Sequence, residues 1–173
     1  MANKVIRFAL SEKEIDGAIK ELEKYKEEIA AKTNLLRERV AQRIRDLADS
    51  AFSSALIDDL LRGSARAAQV EVDVTNEGNI SLVIASGEDA IWAEFGAGVY
   101  HNGSAGASPH PKGSEFGFTI GGYGYGQGKK AVWGFYEGDE LMLTHGAPAS
   151  MPMYRSVQWV CNEIYKIAKE VFK

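Results

Sequence analysis

Glu94 is the side chain whose surroundings in this sequence most suggest chemistry. It stands in Ile91-Trp92-Ala93-Glu94-Phe95-Gly96-Ala97-Gly98, an apolar stretch with one acid and two glycines near its end. A carboxyl group among apolar neighbours can serve as a general acid or base. Such a group needs a partner, either a nucleophile or a second proton carrier. No second acid or nucleophile stands in a recognisable arrangement with Glu94. It is therefore expected to cap backbone donors or to pair with an arginine such as Arg155.

The other reactive residue types form no constellation either. His101, His110 and His145 all fall in expected loops, and their spacing matches no zinc pattern. They are expected as single surface side chains. Cys161 falls on the apolar face of an expected helix, as an inert core residue. The run Gly121-Gly122-Tyr123-Gly124-Tyr125-Gly126-Gln127-Gly128-Lys129-Lys130 superficially resembles a phosphate loop. It lacks the Ser or Thr that should follow Gly-Lys, and it leads into a strand where a phosphate loop leads into a helix. Tyr123 and Tyr125 with Lys129 and Lys130 could stack on and neutralise single-stranded nucleic acid. The net charge of -4 argues against that use. No cofactor or metal motif appears, and catalysis is not expected; a small hydrolase using Glu94 or a loop histidine stands as an alternative only.

The elements that must position these residues follow from periodicity. At 173 residues the chain fits one domain, residues 1–173, long enough to bury roughly 70% of its unfolded surface. No apolar run nears the roughly 20 residues needed to span a bilayer, and no signal peptide is expected at the start. The single cysteine leaves no intrachain disulfide and suits synthesis in a reducing compartment.

Ser11-Glu12-Lys13-Glu14 reads as a capping box. Ile15, Ile19, Leu22, Tyr25, Ile29, Thr33, Leu36, Val40, Ile44, Leu47 and Ala51 then recur every three or four residues, the stripe of a long helix from about Ser11 to Ser50. A break at Thr33-Asn34 is possible on propensity. Asp16–Lys20, Glu28–Lys32 and Arg45–Asp49 are opposite charges at i,i+4. Phe52, Leu56, Ile57, Leu60 and Leu61 continue the pattern as a second helix or an extension, so residues 11–62 form a helical region that stops at Gly63. So long a stripe outruns the core of a small domain; either the domain's own sheet and last helix cover it, or part of it packs on another subunit.

Val70, Val72 and Val74, then Ile80, Leu82 and Ile84, alternate with other residues around Asn76-Glu77-Gly78-Asn79, which places a hairpin at 68–86. A short helix over Ala90–Phe95 follows. From Gly96 to Gly128, eleven of 33 residues are glycine, so 96–130 is a long loop, carrying the aromatics Tyr100, Phe116, Phe118, Tyr123 and Tyr125. A second hairpin occupies 131–144, turning at Glu137-Gly138-Asp139. A C-terminal helix spans about 152–172, with Val157, Val160, Cys161, Ile164, Ile167, Ala168 and Val171 as its apolar face. The expected class is α+β: a long N-terminal helix, a small antiparallel sheet of two hairpins and a C-terminal helix, with a long glycine-rich loop.

This order of motifs resembles the phage gene-product-ten-like family (HK97 type) of tail-completion and head–tail joining proteins. The resemblance covers about residues 11–172. It rests on Ala93-Glu94-Phe95-Gly96-Ala97-Gly98 and on the turn Thr144-His145-Gly146-Ala147-Pro148-Ala149-Ser150-Met151-Pro152-Met153-Tyr154. Family members often carry Pro-x-Asp-Thr-Gly-x-Leu before the first hairpin. This chain has Ile57-Asp58-Asp59-Leu60-Leu61-Arg62-Gly63-Ser64, without that proline or threonine, which leaves the approach open to a helical form. The resemblance implies a virion structural protein: a ring subunit, commonly hexameric, in the neck or collar of a phage or headless phage-tail-like particle, made in the bacterial host cytoplasm. Its partners would be copies of itself and the adjoining tail tube, sheath or connector, with DNA passing through the ring unread, and no membrane. The contact residues implied are Trp92, Glu94, Phe95, Gly96, Gly98, Tyr100, Phe116, Phe118, Tyr123, Tyr125, Lys129 and Lys130.

Overall fold

The computed structural model describes Ile6, Ala9 and residues 11–59, 64–98, 108–118, 132–144 and 146–173. The chain is α+β, as expected. Helix α1 spans Glu12–Ser53, 42 residues without a break, or roughly 63 Å at a rise of 1.5 Å per residue. Thr33 does not interrupt it; its hydroxyl donates back to the Ile29 carbonyl at 2.8 Å, one turn earlier in the same helix. The capping box does not close. Ser11 makes no side-chain cap bond, and the Glu14 carboxylate reaches past it to accept from the Ala9 N–H.

The helical region expected to reach residue 62 ends nine residues earlier. Ser54 caps α1, and the chain turns into β1 (Leu56–Asp59), paired antiparallel with β2 (Ser64–Ala67). The reason is burial: Ala55, Ile57 and Ala68 enter the core while Leu56 faces water, a period of two rather than 3.6. Strands β3 (Glu71–Glu77) and β4 (Ile80–Ser86) form the first expected hairpin. Strands β6 (Trp133–Glu137) and β7 (Glu140–Thr144) form the second. Each turns through two residues that open on a glycine of positive φ, 55° at Gly78 and 62° at Gly138, as tight hairpin turns require. Between them lie α2 (Ala90–Phe95) and β5 (Ala97–Gly98); β5 pairs with β8 (Gly146–Ala147) just before α3 (Pro152–Val171). Among the described residues the hairpins do not share one sheet. They are separate two-stranded ladders.

The core gathers at the C-terminal end of α1, where Ala48 and Phe52 pack with Ile57, Val72, Ala93 and Ala147. Arg45 ties α1 to the first hairpin by donating to the Val72 carbonyl at 3.0 Å, and the acid it meets is Asp46 at 3.2 Å, in place of the expected Asp49. Helix α3 runs antiparallel to α1. The Arg43 guanidinium sits 4.8 Å from the Trp159 ring centre, Arg39 meets Glu170 at 3.8 Å, and Lys32 donates to the Lys173 carbonyl at 3.1 Å. The α3 end of this pairing stops at Lys32, so α1 residues 12–31 run on past it.

Candidate functional site

The carboxylate of Glu94 is where three segments of the chain meet. Helix α2 is placed first. Asp89, buried at its start, accepts from the Gln69 N–H at 2.8 Å and from both terminal nitrogens of Arg66. This fastens α2 to the strand region before β3. Gly87 makes the approach possible: its φ is 134°, and a Cβ there would stand 2.4 Å from the Gln69 carbonyl oxygen.

At the other end α2 closes on Gly96, with φ 79°. A Cβ at Gly96 would lie 3.0 Å from the Ala149 nitrogen and 3.2 Å from the Ala147 carbonyl oxygen. The glycine thus lets the approach to α3 lie directly against α2. Across this contact the Ala93 carbonyl accepts from the Ser150 N–H and hydroxyl, each at 3.0 Å. Met151 then takes a left-handed conformation, φ 54° and ψ 51°, and Pro152 opens α3.

The first N–H groups of a helix have no partner within it. Here the usual side-chain cap is missing at Met151, and Glu94 supplies it from α2. Its Oε2 accepts the Met153 N–H at 2.8 Å and its Oε1 the Tyr154 N–H at 2.9 Å. The negative charge also sits at the positive end of the α3 dipole. Of the two roles expected for Glu94, capping backbone donors is the one it plays. Arg155 is exposed, and its own N–H goes to the Met151 carbonyl.

The third segment is 108–118, a compact turn from the glycine-rich stretch. His110, 8% exposed, is not the surface side chain expected. Its Nε2 lies 3.2 Å from Glu94 Oε1, and its Nδ1 accepts the Lys112 N–H at 3.0 Å. An accepting Nδ1 places the ring proton on Nε2, which donates to Glu94. Ser108 anchors the segment by donating its hydroxyl to the Phe95 carbonyl. The Phe95 ring packs 4.4 Å from His110 and stacks on Phe118 at 4.5 Å and 11°, with Phe116 at 5.6 Å. Trp92 meets Phe118 edge-on at 6.3 Å, and Tyr154 covers the far side of His110 at 5.2 Å.

The chemistry of this arrangement is closed on itself. Three donors occupy the Glu94 oxygens, and both ring nitrogens of His110 are engaged. The polar atoms of both groups are thus used mainly in joining α2, segment 108–118 and α3. Among the described residues no group of three or more His, Cys, Asp or Glu gathers in a metal-binding arrangement, and no helix is long and apolar enough to cross a membrane.

Trp92, Glu94, Phe95, Gly96, Phe116 and Phe118 thus come together, while Gly98 pairs with Gly146 in the β5–β8 ladder. Tyr100, Tyr123, Tyr125, Lys129 and Lys130 lie outside the described residues, as do His101 and His145. Cys161 is exposed rather than buried: Ser156, Val160 and Val171 carry the inward face of α3, and Cys161 lies one 100° step beyond Val160. Sequence reasoning missed Ser108, His110, Ser150 and the Arg66–Asp89 pair. Of these only Asp89, just after Gly87 and before an apolar run, carried a local signal, that of a helix start.

No protein-family model, curated protein or solved structure matches this chain.

Proposed function

We propose that this chain is a structural subunit of a ring at the head-proximal end of a phage or phage-like tail, serving tail completion, neck formation or head–tail joining. It works through contacts between subunits and not by turnover. The observation that carries the reading is the apolar side chains presented outward by three separate elements. The N-terminal half of α1 presents Ile15, Ile19 and Leu22. The outer face of β4 presents Ile80, Leu82 and Ile84, beside an outward row of Glu71, Asp73 and Glu77 on β3. The outer face of α3 presents Val157 and Ile164. Apolar surface on several faces suits a subunit that is covered on more than one side.

The self-contained Glu94–His110 site supports the same reading, because it spends its polar groups on holding three segments together. The order of motifs around Ala93–Gly98 and Thr144–Tyr154 supplies the link to tail rings. Native mass spectrometry and electron microscopy of the purified protein test it. Closed rings of one subunit type are expected, and antibody against the protein should decorate the head-proximal end of tail particles. A monomer at all concentrations, joined by no particle protein, would sink the proposal.

A further inference from the structure

Two apolar seams on this molecule match each other in length and differ in charge. The first lies on the part of α1 that runs past α3. Ile15, Ile19 and Leu22 step by four and three residues, the spacing of a coiled-coil seam, and Ile19 and Leu22 are 48% and 55% exposed. This overhang, residues 12–31, is 20 residues long, or about 30 Å. The second lies on the outer face of α3. Val157, Cys161 and Ile164 step by the same four and three residues, with Val157 and Ile164 40% and 45% exposed. Helix α3 is also 20 residues long, again about 30 Å.

The charges decide which surfaces can meet. The overhang carries seven acids and four bases, a net of 4 − 7 = −3. Two overhangs laid side by side would bring −3 against −3, which opposes self-pairing. Within α3, Arg155, Lys166 and Lys169 outnumber Glu163 and Glu170, a net of 3 − 2 = +1. Both acids are already engaged, Glu170 with Arg39 and Glu163 with Lys166. Lys169 follows Tyr165 by one turn, on the solvent side of α3 and about 80° around the helix from Cys161.

We infer that the α1 overhang of one copy docks on the outer α3 seam of the next copy. Each subunit then gives one surface and receives at another, a head-to-tail contact that propagates and can close into a ring. The inference rests on the ring reading above and names the two surfaces that make the ring. The overhang cannot reach the seam of its own chain. Lys32 already marks the end of α3, and Leu22 lies ten residues beyond it, about 15 Å further along the axis.

Cys161 makes the contact testable, because it is a native thiol within the receiving seam. Ile19→Cys and Leu22→Cys variants are treated with mild oxidant or a short bismaleimide and run on denaturing gels. At least one variant should give a covalent ladder of trimers and larger species that wild type does not give. Adding Cys161→Ser to that variant should remove the ladder. Circular dichroism of each variant should match wild type, since every substituted side chain is exposed. Dimers alone that survive Cys161→Ser would show overhang pairing with overhang and overturn the inference. Dimers of wild type through Cys161 would show seam pairing with seam and overturn it too. Rings seen by native mass spectrometry without any ladder would overturn the docking while leaving the ring reading intact. Monomers throughout would end both.

Discussion

The carboxylate of Glu94 and the backbone nitrogen of Met153 stand 2.8 Å apart across 59 positions of sequence. Helix α3 therefore begins on a charge that belongs to α2. The bond makes the packing of the two helices a condition for capping the second one. Glu94→Gln replaces one acceptor oxygen with an NH2 group facing a backbone N–H. The expected loss is about 2 kcal/mol, or about 4–8 °C in Tm for a domain of this size. Thermal unfolding followed by circular dichroism measures it. An unchanged Tm would remove the cap from the account.

His110→Ala tests the segment 108–118. The substitution removes the bond to Glu94 and the ring between Phe95 and Tyr154. The segment should become a site of rapid proteolysis, while the helical signal of α1 and α3 is kept. Limited trypsin digestion reads this at Lys112. Cleavage there at the wild-type rate would show that Ser108 and the phenylalanines hold the turn without the histidine.

Gly96→Ala sets a side chain against Ala149 and forces a non-glycine residue to φ 79°. The expected cost is about 2 kcal/mol or more, read as a lowered denaturant midpoint. Gly17→Ala is the matched opposite. Gly17 lies inside α1 with nothing within 4 Å of its would-be Cβ, so alanine should stabilise the helix by about 0.5–1 kcal/mol. Slower amide exchange between Lys13 and Lys24 would report it. Faster exchange there would contradict a continuous helix through the overhang.

Tyr123 and Tyr125 separate the ring reading from nucleic-acid binding. Both are changed to serine. Ring or particle assembly should fall. If assembly is kept and salt-dependent binding to single-stranded DNA is lost, stacking on bases becomes the better account of the loop.

Much of this fold could be seen in the residues. The α1 stripe from Ile15 to Ala51 named the helix, and Gly78 and Gly138 named two hairpin turns. Leu56, Ile57, Leu60 and Leu61 misled because their spacing also fits a helix. Only the contact of Ile57 and Ala68 with the core selects the strand. Glu94 stood out as an acid among aromatics, yet its donors at Met153 and Tyr154 had no local sign. They are brought to it by a left-handed turn at Met151, a residue type that rarely adopts one. His110 was hidden for a related reason: a glycine-rich stretch has no period from which burial can be read. Cys161 was misplaced because α3 carries apolar residues on both its inner and outer faces.

A helix anchored at one end converts rotation into translation. Helix α1 is held from the core at Phe52 back to Lys32, where α3 ends, and residues 12–31 extend about 30 Å beyond that hold. A tilt of about 5° there would carry Glu12 about 3 Å sideways. Small changes in the packing of α1 on α3 would thus shift where the tip lands on an adjoining surface. The geometry of an assembly joined through that tip would then be governed by side chains inside the subunit.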